Sequence, residues 1–268
     1  MNEEIIKLNS IAKNIRKDII EMIYNAKSGH PGGSLSCTDL LVCLYHYKLN
    51  LNVDKNGNRI DKFILSKGHA SAAYYAILSS KGFIPHEDLI TFRKYDSYLE
   101  GHPSNKIVGI DTSSGSLGQG LSIANGMALS KKVFNEEGKV YCLVGDGELE
   151  EGQIWEALMT ANKYRLNNLT MIIDNNGLQI DGSVNSVKKL ENLNEKLESF
   201  GFYVQTIDGH DYEDILKALD NVGKKDMPNC IIANTVKGKG ISFMENKVEW
   251  HGKSLNDEEF KIAIEELK

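Results

Sequence analysis

Lys139-Val140-Tyr141-Cys142-Leu143-Val144 runs straight into Gly145-Asp146-Gly147-Glu148, and Leu169-Thr170-Met171-Ile172-Ile173 runs into Asp174-Asn175-Asn176-Gly177-Leu178. Each begins as a short apolar run without polar alternation, the pattern of a strand buried on both faces. Each ends in a glycine-flanked polar turn. Helical spacing over 149–164 lies between them, so strand, helix and strand follow as in one βαβ unit. Downstream, the pattern predicts helix over 190–200, strand over 202–206, helix over 212–222 and strand over 230–233. Upstream it predicts helices over 4–27, 38–48, 70–80 and 118–134 and a strand over 61–65. This alternation predicts an α/β fold, a doubly wound, mostly parallel sheet with helices on both faces. Residues 28–120 are expected to be rich in loops, and 1–268 to form a single domain.

Composition narrows the function classes. The chain has 268 residues, 41% hydrophobic and 25% charged, with a formal net charge of −6. Those values exclude a wholly disordered chain or a coiled coil. No block is strongly basic, which argues against a nucleic-acid footprint or a membrane-surface helix. No stretch approaches the ~18 apolar residues of a membrane span. Cys37, Cys43, Cys142 and Cys230 form no CxxC pair and sit in apolar surroundings, as buried thiols of a reducing compartment do. The N-terminal residues show no signal-peptide pattern. A cytoplasmic protein is expected.

Doubly wound sheets bind ligands beyond the carboxyl ends of their strands. There Asp146 offers a carboxylate, Asn176 an amide oxygen, and the backbone after Gly177 its carbonyls. Such hard oxygens with few full charges suit Mg²⁺ or Ca²⁺ when a phosphate supplies the remaining ligands. A helix starting near 149 could aim its first N–H groups at that phosphate. Taken alone, Asp-Gly and Asn-Gly are ordinary turn sequences. Their separation of 30 residues, one βαβ unit, is what gives them weight. No strand leads into a GxGxxG word: Gly115-Ser116-Leu117-Gly118-Gln119-Gly120 has the wrong order, and no P-loop is present.

Five of the seven histidines adjoin a glycine: His30, His69, His102, His210 and His251. Imidazoles titrate near neutrality and suit proton transfer. Their surroundings carry a resemblance. Ser28-Gly29-His30-Pro31-Gly32-Gly33, Ser66-Lys67-Gly68-His69-Ala70, Glu100-Gly101-His102-Pro103, Gly115 to Gly120, Glu151-Gly152-Gln153-Ile154-Trp155-Glu156-Ala157 and Glu249-Trp250-His251-Gly252 resemble words of the transketolase family, in the family's order across nearly the whole chain. The GDG word followed some thirty residues later by NN resembles the thiamine diphosphate motif.

The resemblance implies a thiamine diphosphate-binding fold and the transfer of a two-carbon ketol unit from a ketose phosphate to an aldose phosphate. By it, Asp146, Asn176 and the Leu178 carbonyl hold Mg²⁺ or Ca²⁺. Gly145, Gly147, Glu148, Gly115 and Leu117 belong to the cofactor loops. His30 and His69 handle substrate protons, and His69 also adjoins the cofactor. His102 lies near the substrate's first hydroxyl, and His251 binds substrate and diphosphate. Glu151 belongs to a proton network between active sites. Ser116 departs from the proline common in the family. His46, His86 and His210 are read as structural, with Asp211 capping the following helix.

Family transketolases have three domains, and this chain resembles the first. The pyrimidine-side and C-terminal domains are therefore expected on a partner chain, in a heterotetramer with two of each chain. No arginine falls in a motif for substrate phosphate. A transketolase-like enzyme for an unusual sugar or secondary metabolite, and a non-catalytic binding or regulatory subunit, are the alternatives.

Overall fold

Val140–Gly145 and Leu169–Asn175 are adjacent parallel strands, with Val140 opposite Leu169 and Gly145 opposite Asp174. The computed structural model describes residues 2–55 and 57–268. Its elements begin with α1 (Asn2–Ala26), α2 (Pro31–Ser36) and α3 (Thr38–Cys43), the last running into one π-helical turn, Leu44–Lys48. Next come β1 (Lys62–Leu65), α4 (Ser71–Ser80), α5 (Gln119–Val133), β2 (Val140–Gly145), α6 (Gly152–Lys163) and β3 (Leu169–Asn175). A small antiparallel hairpin of β4 (Leu178–Gln179) and β5 (Gly182–Ser183) precedes α7 (Val184–Val187) and α8 (Leu193–Ser199). The chain finishes with β6 (Tyr203–Asp208), α9 (Tyr212–Asn221), β7 (Asn229–Asn234) and α10 (Asp257–Glu266).

The main sheet is wholly parallel, in the order β1-β2-β3-β7-β6. Period-two alternation sends its side chains into two separate cores. Tyr141, Leu143, Ile172, Ile231 and Ala233 enter one with α1, α3, α4 and α9. Val140, Cys142, Val144, Met171, Ile173, Cys230 and Ile232 enter the other with α5, α6 and α8. The sheet is thus doubly wound, as its unbroken apolar runs predict. All four cysteines are buried and unpaired. No helix among the described residues is long and apolar enough to cross a membrane.

Several boundaries differ from the sequence reading. A 3-10 turn, Gly147–Glu150, follows Asp146, and α6 begins only at Gly152. The nearest N–H, that of Gly147, is taken by the Asp146 side chain at 2.8 Å. The glycine-rich word after His30 is helical, with Pro31 in the first turn and every residue of α2 buried. Proline suits that position because its missing N–H has no helical partner to lose. The tract rich in loops is reduced to two stretches, the described residues of 49–61, with only an isolated bridge between Val53 and Arg59, and 81–118, where only the 3-10 helix His86–Thr91 is regular. The sequence reading did not include α10, which opens with a capping box of Asn256 and Glu259.

The histidines read as structural make structural contacts. His46 Nε2 lies 2.9 Å from Ser80 Oγ, and His86 opens its 3-10 helix beside Asp18 at 3.0 Å. His210 bridges Asp39 and the Val236 N–H at 2.8 and 2.9 Å. Asp211 caps α9 by accepting from Glu213 and Asp214.

Phe63 of β1 is buried edge-on against Tyr45 and Tyr74, with centroids 5.5 and 5.3 Å away. Phe63→Ala empties the middle of that aromatic cluster and is expected to cost about 3–5 kcal/mol, read from the urea unfolding midpoint.

Candidate active site

Four strands deliver the site. Beyond β1 lie Lys67 and His69; at the end of β2 and beyond it, Gly145 to Glu148; beyond β3, Asn176 and Leu178; beyond β7, Lys237. Together with His30, His102, Gly115, Leu117, Glu151 and His251 they line one cleft of about 280 Å³. Every residue that the sequence nominated is therefore in the same cavity, although they span positions 30 to 251.

Packing at the strand ends is tight enough to dictate glycine in one place. A Cβ on Gly68 would lie 2.7 Å from Ser114 Oγ and 3.0 Å from the Gly115 nitrogen, so the His69 and Gly115 loops touch backbone to backbone. This contact sets the loop of Gly115 and Leu117 against the histidine. Tyr75 fixes the other side, donating to the carbonyls of Glu100 and His102 at 2.9 and 3.0 Å.

A buried ion pair holds the floor. Lys67 and Asp174 are 1% and 0% exposed and are joined by a salt bridge. Lys67 also donates to the Gly33 carbonyl of α2 at 2.8 Å. Asp174 accepts in addition from Ser36 at 2.6 Å and from Thr235. Burial pushes the Asp174 carboxyl up, but Lys67 and these donors outweigh it and hold it below its ordinary range. Burial opposes the charge on Lys67 too, and Asp174 overcomes it.

Glu148 is 2% exposed and fully engaged. Its carboxylate accepts from Ser66, from the Gly118 N–H at 2.8 Å and from the Gly145 N–H at 3.1 Å. It bolts three loops together at the edge of the cleft. Burial raises its pKa.

Asp146 differs. It is 4% exposed, accepts from the N–H groups of Gly147 and Gly177, and enters none of the ion pairs among the described residues. Burial, then the neighbouring Asp174, push it up to about 6. Asn176 Oδ1 faces the Leu178 N–H at 3.1 Å, and the Leu178 carbonyl accepts from Lys237 at 3.1 Å. Among the described residues no three His, Cys, Asp or Glu side chains converge as a metal cluster. The oxygens that could hold a cation here are one carboxylate of Asp146, the amide oxygen of Asn176 and the Leu178 carbonyl.

The imidazoles crowd together. Ring centroids of His30, His69 and His251 are 5.2–5.5 Å apart. Lys237 Nζ lies 2.9 Å from His251 Nδ1. An ammonium only donates, so Nδ1 accepts and Nε2 bears the hydrogen. Burial and then nearby Lys237 lower His251 to about 3. Burial and then Lys67 hold His69 well below its ordinary value. His102, at the exposed rim, is lowered by burial and by Arg93. Glu151 is also at the rim, at the N-terminus of α6.

Sequence reasoning passed over Lys67 and Lys237. Lys67 stands inside the word that nominated His69. Lys237 follows the β7 run by three residues, which placed it at a strand's carboxyl end.

The chain matches the model of the family described as "Transketolase, thiamine diphosphate binding domain" over residues 7–267. The chain belongs to the transketolase family. It is 41% identical to one subunit of the apulose-4-phosphate transketolase of Phocaeicola vulgatus, over all of this chain and 95% of that protein. It is also 41% identical to the 6-deoxy-6-sulfo-D-fructose transketolase subunit SqwG of a Clostridium species, covering 98% of it. The crystal structure of Campylobacter jejuni transketolase superposes on 97% of the chain with a TM-score of 0.90 and 38% identity. The match takes in 42% of that longer transketolase. The doubly wound sheet is thus the thiamine diphosphate-binding domain of a transketolase-type transferase.

The ion pair at the floor gives a direct test. Lys67→Met strands a buried carboxylate and is expected to destabilise the fold by about 3–5 kcal/mol in denaturant unfolding. Adding Asp174→Asn should restore part of that loss, because it removes the uncompensated charge.

Proposed function

We propose that this chain is the diphosphate-side subunit of a two-chain transketolase, which moves a two-carbon ketol unit from a ketose phosphate to an aldose phosphate. The observation that carries it is the convergence of cation ligands, a buried ammonium and the histidine cluster in one cleft. These residues fit thiamine diphosphate with a divalent cation. Asp146 is buried and enters none of the ion pairs among the described residues, and the Asn176 and Leu178 oxygens line the same cleft from the neighbouring strand end. Lys237 places a second positive group beside the Leu178 carbonyl and His251.

In this reading Asp146, Asn176 and the Leu178 carbonyl hold Mg²⁺ or Ca²⁺, which grips the diphosphate. Gly145 and Gly147 let the backbone approach, Glu148 fixes the loop, and Gly115 and Leu117 wall the site. When bound, thiamine diphosphate supplies the carbon–carbon bond chemistry, and the protein orients it. His30, His69 and His102 face the substrate and handle its hydroxyl protons. His251 offers its Nε2–H to substrate or diphosphate. Glu151, exposed at the rim, suits a proton link reaching across to another subunit.

A partner chain would supply the pyrimidine side and much of the sugar-phosphate contact, with two copies of each chain in the assembly. The names of the two subunit-sized relatives support this division. They also favour a second reading for the donor, since one is named for apulose 4-phosphate and the other for a sulfonated deoxyfructose. The donor of this enzyme can therefore be a ketose outside the common pentulose phosphates. The four buried, unpaired cysteines suit a reducing cytoplasm.

The chain alone should show negligible ketol transfer from xylulose 5-phosphate to ribose 5-phosphate, and activity should appear on reconstitution with its partner. Activity in the pure chain would contradict the two-chain reading. Asp146→Ala should abolish metal-dependent thiamine diphosphate binding in calorimetric titration, and an unchanged titration would refute the cation assignment.

A further inference from the structure

Arg93 has no place in any motif, yet it is built into the site. Its φ of +57° is one that side-chain-bearing residues rarely adopt. The conformation is held by a hydrogen bond from its N–H to the Leu99 carbonyl at 2.8 Å. The guanidinium then reaches back toward α2. Nη1 donates to Ser28 Oγ at 2.7 Å, and Nη2 lies 3.4 Å from His30 Nδ1. Nε is buried without a partner. Gly101 makes room for it: a Cβ there would lie 2.8 Å from Nη2 and 2.9 Å from Nε.

A guanidinium has only donors and stays charged. Facing it, His30 Nδ1 has to accept, and the ring's hydrogen then sits on Nε2. Nδ1 is occupied, so Nε2 is what His30 has left to offer a ligand in the cleft it lines. We propose that Arg93 is a positioning residue that fixes His30 as the Nε2–H tautomer, so that His30 meets the substrate as a hydrogen-bond donor rather than as a base. The assignment rests on the transketolase reading for its substrate and sharpens the role given to His30 by resemblance.

The charges around His30 agree. It is faced by Arg93, His102, Lys237 and Lys67, with His69 and His251 against its ring, and none of these is an acid. Burial, then Arg93, lower it to about 4, so it stays neutral through the physiological range. Lysine could not replace the arginine, because only a planar fork reaches Ser28 and His30 from two nitrogens at once. His251 is pinned at Nδ1 in the same way by Lys237. The cleft thus holds two neutral imidazoles that each present Nε2–H. Accepting protons falls to His69 and His102, whose rings no lysine or arginine among the described residues hydrogen-bonds.

The test is long-range proton–nitrogen correlation spectroscopy of the full chain labelled with ¹⁵N-histidine, the His30 signals being assigned by their loss in His30→Gln. In the unaltered chain His30 should show an acceptor-type Nδ1 and a protonated Nε2, with a titration midpoint near 4. Arg93→Met removes the donor. Gly101→Ala pushes the flexible end of the arginine away while keeping its charge. Both should give mixed His30 tautomers, and Arg93→Met should raise the midpoint by about one unit or more. In the reconstituted enzyme Arg93→Met should lower kcat about tenfold and leave thiamine diphosphate affinity unchanged, the mark of an interaction made only in the reaction. A protonated Nδ1 in the unaltered chain, or unchanged His30 spectra in both folded variants, would overturn the proposal. The spectra need neither partner nor substrate, so they decide this point even if the transketolase reading fails.

Discussion

The buried pair of Lys67 and Asp174 is the constraint on which the rest of the site depends. It joins the loop after β1 to the end of β3, and its other hydrogen bonds reach α2 through Gly33 and Ser36 and the segment after β7 through Thr235. Four segments distant in sequence are thereby held at one end of the sheet. Burying two charges is costly, and the cost is offset here only because the partners and their hydrogen bonds are all present. His30, His69, Asn176 and Lys237 ride on or beside these same segments, so their spacing follows from this knot.

Around His30, His69 and His251 the charged neighbours are cationic. Lys67 is neutralised by Asp174, but Lys237 and Arg93 have no carboxylate partner among the described ion pairs. Burial and then Lys67 push Lys237 down to about 8. A dianionic ligand fits such a field, and a neutral imidazole is favoured over a charged one. Asp146 works in the opposite sense, as a buried acid beside Asp174 that enters none of the ion pairs among the described residues. The two imbalances are complementary.

Much of this was legible in the residues. The strands were plain because a parallel sheet between two helical layers needs unbroken apolar runs, and 140–144, 169–173 and 230–233 supply them. The strand ends were plain because Asp146 and Asn176 are polar, glycine-flanked and one βαβ unit apart. The Pro31–Ser36 helix was hidden because glycines read as loop, whereas packing against the Trp250 carbonyl needs one: a Cβ on Gly32 would lie 2.8 Å from that oxygen. The last helix carried its signal in Asn256 and Glu259, three apart, as a capping box requires. Arg93 was invisible for a different reason. Its role depends on a left-handed backbone and on the absent side chain of Gly101, neither of which spacing reveals.

On the proposed reading, the cleft holds the diphosphate end of thiamine diphosphate through a divalent cation. The most direct test of this claim is a crystal structure of the chain grown with thiamine diphosphate and Mn²⁺, using the metal's anomalous scattering. One peak is expected within about 2.0–2.3 Å of an Asp146 carboxylate oxygen, Asn176 Oδ1 and the Leu178 carbonyl, with cofactor phosphates completing the shell. Cofactor bound in the cleft with no metal at those three oxygens, or with metal elsewhere, would contradict the claim.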